Sequence, residues 1–100
     1  MDNLSIDEII AYLRKNREYF HDRFGVTSMG IFGSFIRGEQ TSSSDIDIII
    51  EMEKNKKSIH SFLQLKRFIE KEIERKVDLG FEHSLKPAIR EKIKEQIIYV

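Results

Sequence analysis

Six consecutive residues, Asp45-Ile46-Asp47-Ile48-Ile49-Ile50, constrain this chain more than any other stretch. The isoleucine run reads as a strand buried on both faces. The aspartates at its mouth therefore belong at its edge or end, because carboxylates are almost never buried unpaired. Side chains at i and i+2 of a strand share a face, so Asp45 and Asp47 project together while Ile46, Ile48 and Ile50 fill the opposite side. Two carboxylates on one face repel unless a cation lies between them, and the natural partner is a hard, oxygen-loving ion such as Mg²⁺ or Mn²⁺. The plainer alternative is that Ser44 and Asp45 are turn residues, with Asp47 solvated at the start of the strand.

Upstream, the apolar segment Met29 to Phe32 runs into Gly33-Ser34, and Phe35-Ile36-Arg37 is expected to open a short helix. Backbone N–H groups at such a strand-to-helix turn point outward unpaired and can hold phosphate oxygens, with Ser34 adding a hydroxyl. Arg37 has two readings: pairing with an acid to support the loop, or reaching a phosphate. The familiar nucleotide motifs are absent, since there is no G-x-x-x-x-G-K-S/T, and Gly30, Gly33 and Gly38 do not make G-x-G-x-x-G. The calcium-loop pattern fails as well, because it needs glycine at its sixth position.

With 100 residues, of which 40% are hydrophobic and 34% charged, the chain is expected to form one domain over 1–100. Seventeen basic residues cancel seventeen acidic ones, so net charge carries no footprint for direct nucleic-acid binding. The absence of cysteine excludes disulfides and zinc–thiolate sites. No apolar run approaches a membrane span and Met1-Asp2-Asn3 does not open a signal peptide, so a cytoplasmic location without membrane contact is expected.

Ser5 and Glu8 form a capping box before Ile6, Ile9, Ile10 and Leu13 at helical spacing. Asn16 is expected to break that helix, and a second, Arg17 to Phe24, closes at Gly25. Strand one spans Val26 to Phe32 and strand two Asp45 to Met52. They pair antiparallel, which brings the Gly-Ser turn to the aspartates. Ser58 caps a third helix, whose apolar face includes Phe62, Leu65, Ile69 and Ile73. A strand follows at Lys76 to Phe81. A helical crossover between strands makes them parallel, so Asp78 starts at the same end of the sheet as Asp45 and Asp47. Asp78 also has a bland reading, a salt bridge to Arg75 or Lys76. Pro87 begins a last helix, from which Ile89, Ile93 and Ile97 are expected to dock on the sheet. The apolar end Ile97 to Val100 reads as core packing or as contact with another chain.

Gly33-Ser34, ten intervening residues and then Asp45-Ile46-Asp47 resemble the signature of the DNA polymerase beta-like nucleotidyltransferase superfamily. More narrowly, G-S-F-I-R-G-E followed by S-D-I-D-I resembles the minimal nucleotidyltransferases, the antitoxin halves of prokaryotic toxin–antitoxin pairs. Ile36 departs from the small residue usual there. The resemblance covers nearly the whole chain and implies an α/β fold: a small mixed three-stranded sheet packed with about four helices. It implies three carboxylates, Asp45, Asp47 and Asp78, as catalytic residues and ligands of two Mg²⁺ ions, with Mn²⁺ as a substitute. Gly33 and Ser34 would hold the β- and γ-phosphates of ATP, with Arg37 beside them. It also implies a partner, a helical HEPN-type toxin with RNase activity, silenced when AMP is attached to one of its hydroxyls. Two other readings stand: an inactive antitoxin that neutralises by binding, and a nucleotidyltransferase acting on a small molecule. The residues leave a homo-oligomer open.

Overall fold

The computed structural model describes residues 5–33, 36, 38 and 45–100. In chain order these form α1 (Ile6–Lys15), α2 (Arg17–Phe24), β1 (Val26–Phe32), β2 (Ile46–Met52), α3 (Ile59–Ile73), β3 (Val77–Phe81), a 3₁₀ turn (Glu82–Ser84), α4 (Pro87–Lys94) and β4 (Ile98–Tyr99).

Local chemistry accounts for most of the boundaries. The Ser5 hydroxyl accepts the Glu8 N–H at 3.1 Å while the Glu8 carboxylate reaches back to the Ser5 N–H at 3.4 Å, so α1 starts on the expected capping box. Asn16 ends α1 and begins α2, its side-chain amide donating to the Tyr12 carbonyl at 2.9 Å. Gly25 closes α2 at φ 77°, a left-handed conformation that glycine adopts without penalty. The Ser58 hydroxyl accepts the Ser61 N–H at 3.0 Å and caps α3.

The sheet has the order β3-β2-β1-β4. β1 runs antiparallel to β2, and β2 runs parallel to β3 across the crossover through α3, both as expected. One face of the sheet carries Met29, Ile31, Ile46, Ile48, Ile50, Met52, Val77 and Leu79. It packs against Ile9 and Leu13 of α1, Phe20 and Phe24 of α2, and Leu65, Ile69 and Ile73 of α3. Ile49, on the opposite face, is 2% exposed, so β2 is buried on both sides.

The C-terminal third corrects two expectations. Among the described residues the sheet has four strands rather than three, because Tyr99 and Ile98 pair antiparallel with Gly30 and Ile31. The apolar terminus thereby hydrogen-bonds the outer edge of β1, which would otherwise present unpaired backbone groups. The Ile89-Ile93-Ile97 stripe does not dock as a helix face: α4 has no buried residue, and Ile89 is 47% exposed. The helix stops at Lys94, which frees Ile97 to lie over Gly30, on the sheet face opposite the core.

Candidate active site

Alternation along β2 and β3 turns Asp45, Asp47 and Asp78 away from the helix-covered core, because Ile46, Ile48, Val77 and Leu79 occupy it. Asp47 pairs in register with Phe32 of β1 on one side and with Asp78 of β3 on the other. Gly33 follows Phe32 at once, so Gly33, Asp47 and Asp78 form a line across three neighbouring strands. Asp45 precedes β2 on the same face as Asp47, and both Asp45 and Asp78 are exposed.

Gly33 has φ 86° and packs directly on Asp47: a Cβ there would overlap the aspartate carboxylate and come within 3.0 Å of its Cγ. The position demands glycine for conformation and for space. The Ile36 N–H donates to the Gly33 carbonyl at 3.1 Å, so the chain turns sharply on leaving β1. Ser34 and Arg37, the other expected nucleotide contacts, lie outside the described residues, as does the rest of the short helix expected at Phe35 to Arg37.

Asp78 lies exposed near the start of β3, in register with Asp47. Two backbone contacts hold it in place beside Asp47. The Ile46 N–H donates to the Lys76 carbonyl at 3.0 Å, and the Glu70 carboxylate of α3 accepts the Val77 N–H at 3.0 Å. Glu70 was not legible as a positioning residue, since it lies among the charged residues of an amphipathic helix and only the crossover brings it to the start of β3. Glu51 and Glu53 serve elsewhere. Glu51 accepts from the His83 N–H at 2.9 Å and from its ring Nδ1 at 2.6 Å, while Glu53 meets His21 Nε2 at 3.1 Å.

The donor set is all carboxylate oxygen, which suits a hard divalent cation. Among the described residues no three acid or imidazole groups already close on one point. Mg²⁺ is commonly held by one or two carboxylates together with substrate phosphates rather than in an all-protein cage.

Further along the same face two glycines flank an isoleucine. Gly30, Ile49 and Gly80 stand side by side on β1, β2 and β3. Ile97 and Tyr99 cover Gly30, whereas a Cβ at Gly80 would meet nothing within 4 Å among the described residues. The Tyr99 hydroxyl donates to Glu82 Oε1 at 2.6 Å, and that bond, with burial adding to it, holds the phenol above its usual pKa. Arg90 of α4 donates to the Glu82 carbonyl at 3.2 Å and steadies the same corner.

A strand-end glycine thus packs against the second of two alternating aspartates, with a third aspartate in register on the next parallel strand of a mixed α/β domain. The family model described as nucleotidyltransferase domain matches residues 13–100. The chain belongs to that family and is a nucleotidyltransferase. It is 34% identical over 100 residues to a Thermococcus cleftensis protein named protein adenylyltransferase MntA, covering 100% of both chains. It superposes on the structure of a proposed minimal nucleotidyltransferase with TM-score 0.80 and 26% identity, covering 96% of each chain. It also shares its fold with a chain in the crystal structure of a toxin–antitoxin with AMP-PNP. There the TM-score is 0.67 at 23% identity, covering 96% of this chain and 72% of that one.

Proposed function

We propose that this chain transfers AMP from ATP to a side-chain hydroxyl of a partner protein, and that the partner is a HEPN-type toxin encoded beside it and silenced by the modification in the cytoplasm. The observation that carries the reading is the line Gly33–Asp47–Asp78 across β1, β2 and β3. The name of the Thermococcus relative and the toxin–antitoxin complex that shares the fold support it.

Asp45, Asp47 and Asp78 would hold two Mg²⁺ ions, or Mn²⁺ in their place, together with the triphosphate. Bound there, the ions would neutralise phosphate charge and lower the pKa of the attacking hydroxyl. The turn at Gly33 and Ser34 holds the β- and γ-phosphates through backbone N–H groups, with Arg37 supporting the loop or the phosphates. The acceptor oxygen attacks the α-phosphorus, forming a new P–O bond. The bond from the α-phosphorus to the oxygen bridging to the β-phosphate breaks, and its electron pair leaves with pyrophosphate. Asp78 accepts the hydroxyl proton. Asp47 and Gly33 would align phosphorus and leaving group, since in-line transfer needs the reacting atoms within about 3–3.5 Å.

The test is intact-mass analysis of the purified partner after incubation with this protein, ATP and Mg²⁺. An added AMP mass, absent with Asp47→Asn, is expected. Tight binding and loss of the partner's RNase activity with no change of mass would make this protein an occluding antitoxin and overturn the catalytic reading.

A further inference from the structure

Among the described residues, nothing fills the space above Gly80. Gly80 sits inside β3, lacks the positive φ found at Gly25, Gly33 and Gly38, and would place a Cβ in open space. Neither conformation nor crowding by a described residue therefore requires glycine here, and glycine weakens a strand relative to most residues. A strand glycine that is neither at a bulge nor crowded by a described residue suits close approach of another molecule to the backbone.

What approaches follows from the proposed function, on which this inference rests. If the leaving pyrophosphate lies at the Gly33 end and the α-phosphorus over Asp47, in-line attack comes from the β3 side. Asp78 is there, and Gly80 is the next residue on the same face. β3 ends the sheet, so no further strand among the described residues blocks entry from that side. The opening is bounded lengthwise by Asp78 at one end and by the Tyr99–Glu82 hydrogen bond at the other. Ile97 and Tyr99 close it on the β1 side.

We propose that the space above Gly80 is the acceptor slot: the partner protein's hydroxyl-bearing side chain enters over the outer edge of β3 and lies on the Gly80 backbone with its oxygen at Asp78. On this proposal the space belongs to the acceptor and ATP lies outside it. A side chain at position 80 therefore separates acceptor from nucleotide, although both are used in one reaction.

The experiment compares wild type, Gly80→Ala and Gly80→Val, with ATP, Mg²⁺ and the purified product of the adjacent gene as acceptor. Melting temperature is measured with and without ATP and Mg²⁺, and transfer is followed by intact mass. Gly80→Val is expected to melt at or above the wild-type temperature and to keep the nucleotide-dependent shift. Its transfer should slow by about 100-fold, the scale on which a misplaced reacting group costs rate, with Gly80→Ala between the two. Transfer by Gly80→Val within about twofold of wild type would show the slot unused, and parallel loss of the nucleotide shift would show that the space belongs to the nucleoside; either overturns the proposal. If Gly80→Val does not fold, Gly80→Ala decides by the same two readouts. A wild type that binds ATP and Mg²⁺ but transfers nothing to this acceptor overturns the functional reading itself, a result distinct from failure of the slot.

Discussion

Gly33 lies so close to Asp47 that the smallest side chain on the glycine would overlap the aspartate's carboxylate. The end of β1 and the mouth of β2 thus form one unit, in which the residue that turns the chain also sets the position of an acid. Gly33→Ala should lower stability by about 1–2 kcal/mol, through the left-handed backbone and the forced displacement of Asp47. It should also weaken the melting-temperature rise given by ATP and Mg²⁺. Gly80→Ala makes the matched control, because both are glycine-to-alanine changes on one face and only the first meets an obstacle. Equal melting temperatures for the two variants would refute the packing argument.

Asp45→Asn and Asp47→Asn should each abolish most of the melting-temperature rise produced by ATP with Mg²⁺. The rise measures ligand bound to the native state alone, so it falls as the affinity falls. In the absence of ligand Asp45→Asn should melt within about 2 °C of wild type, because an exposed carboxylate contributes little to stability. An undiminished rise in both variants would remove these residues from the nucleotide and metal site.

Asp78→Asn separates binding from chemistry. As acceptor of the hydroxyl proton, Asp78 should contribute about 10²–10⁴-fold to transfer, with ATP binding weakened about tenfold or less. Glu70→Gln tests the support beneath it: the amide oxygen still accepts the Val77 N–H, so transfer should persist, whereas Glu70→Ala should lower transfer about tenfold. Identical behaviour of the two Glu70 variants would mean that the bond to β3 positions nothing.

The Tyr99–Glu82 bond makes a prediction for pH. The folded-state pKa of Tyr99 is raised, so its stabilisation is fully present below the unfolded phenol's pKa of about 10 and is lost as pH rises through the folded value. Tyr99 is about half exposed, which limits the effect to about 0.5 kcal/mol, or about 2–4 °C in Tm, for Tyr99→Phe at neutral pH. That difference should vanish at strongly alkaline pH. A difference that grew with pH would contradict a bond donated by the neutral phenol.

Much of the site was legible in the sequence because its rules are local. Alternation along a strand puts Asp45 and Asp47 on one face and the isoleucines on the other, whatever surrounds them. A helical crossover between strands makes β2 and β3 parallel, which brings Asp78 to the same end of the sheet as the other two acids. Cap residues such as Ser5, Gly25 and Ser58 act within a few positions of themselves, and each stands where its helix begins or ends.

Tertiary structure alone decided the features that join segments far apart in the chain. Ile98 and Tyr99 form a strand only because β1 offers an unpaired edge at Gly30 and Ile31, and two apolar residues carry no period of their own. The overlap of Gly33 with Asp47, the support of Val77 by Glu70 and the bridge from Tyr99 to Glu82 each depend on where two separate backbones come to rest. The opening above Gly80 is the clearest case. A glycine in a strand reads the same whether its missing side chain is crowded out or faces open space, and only the folded neighbours distinguish them.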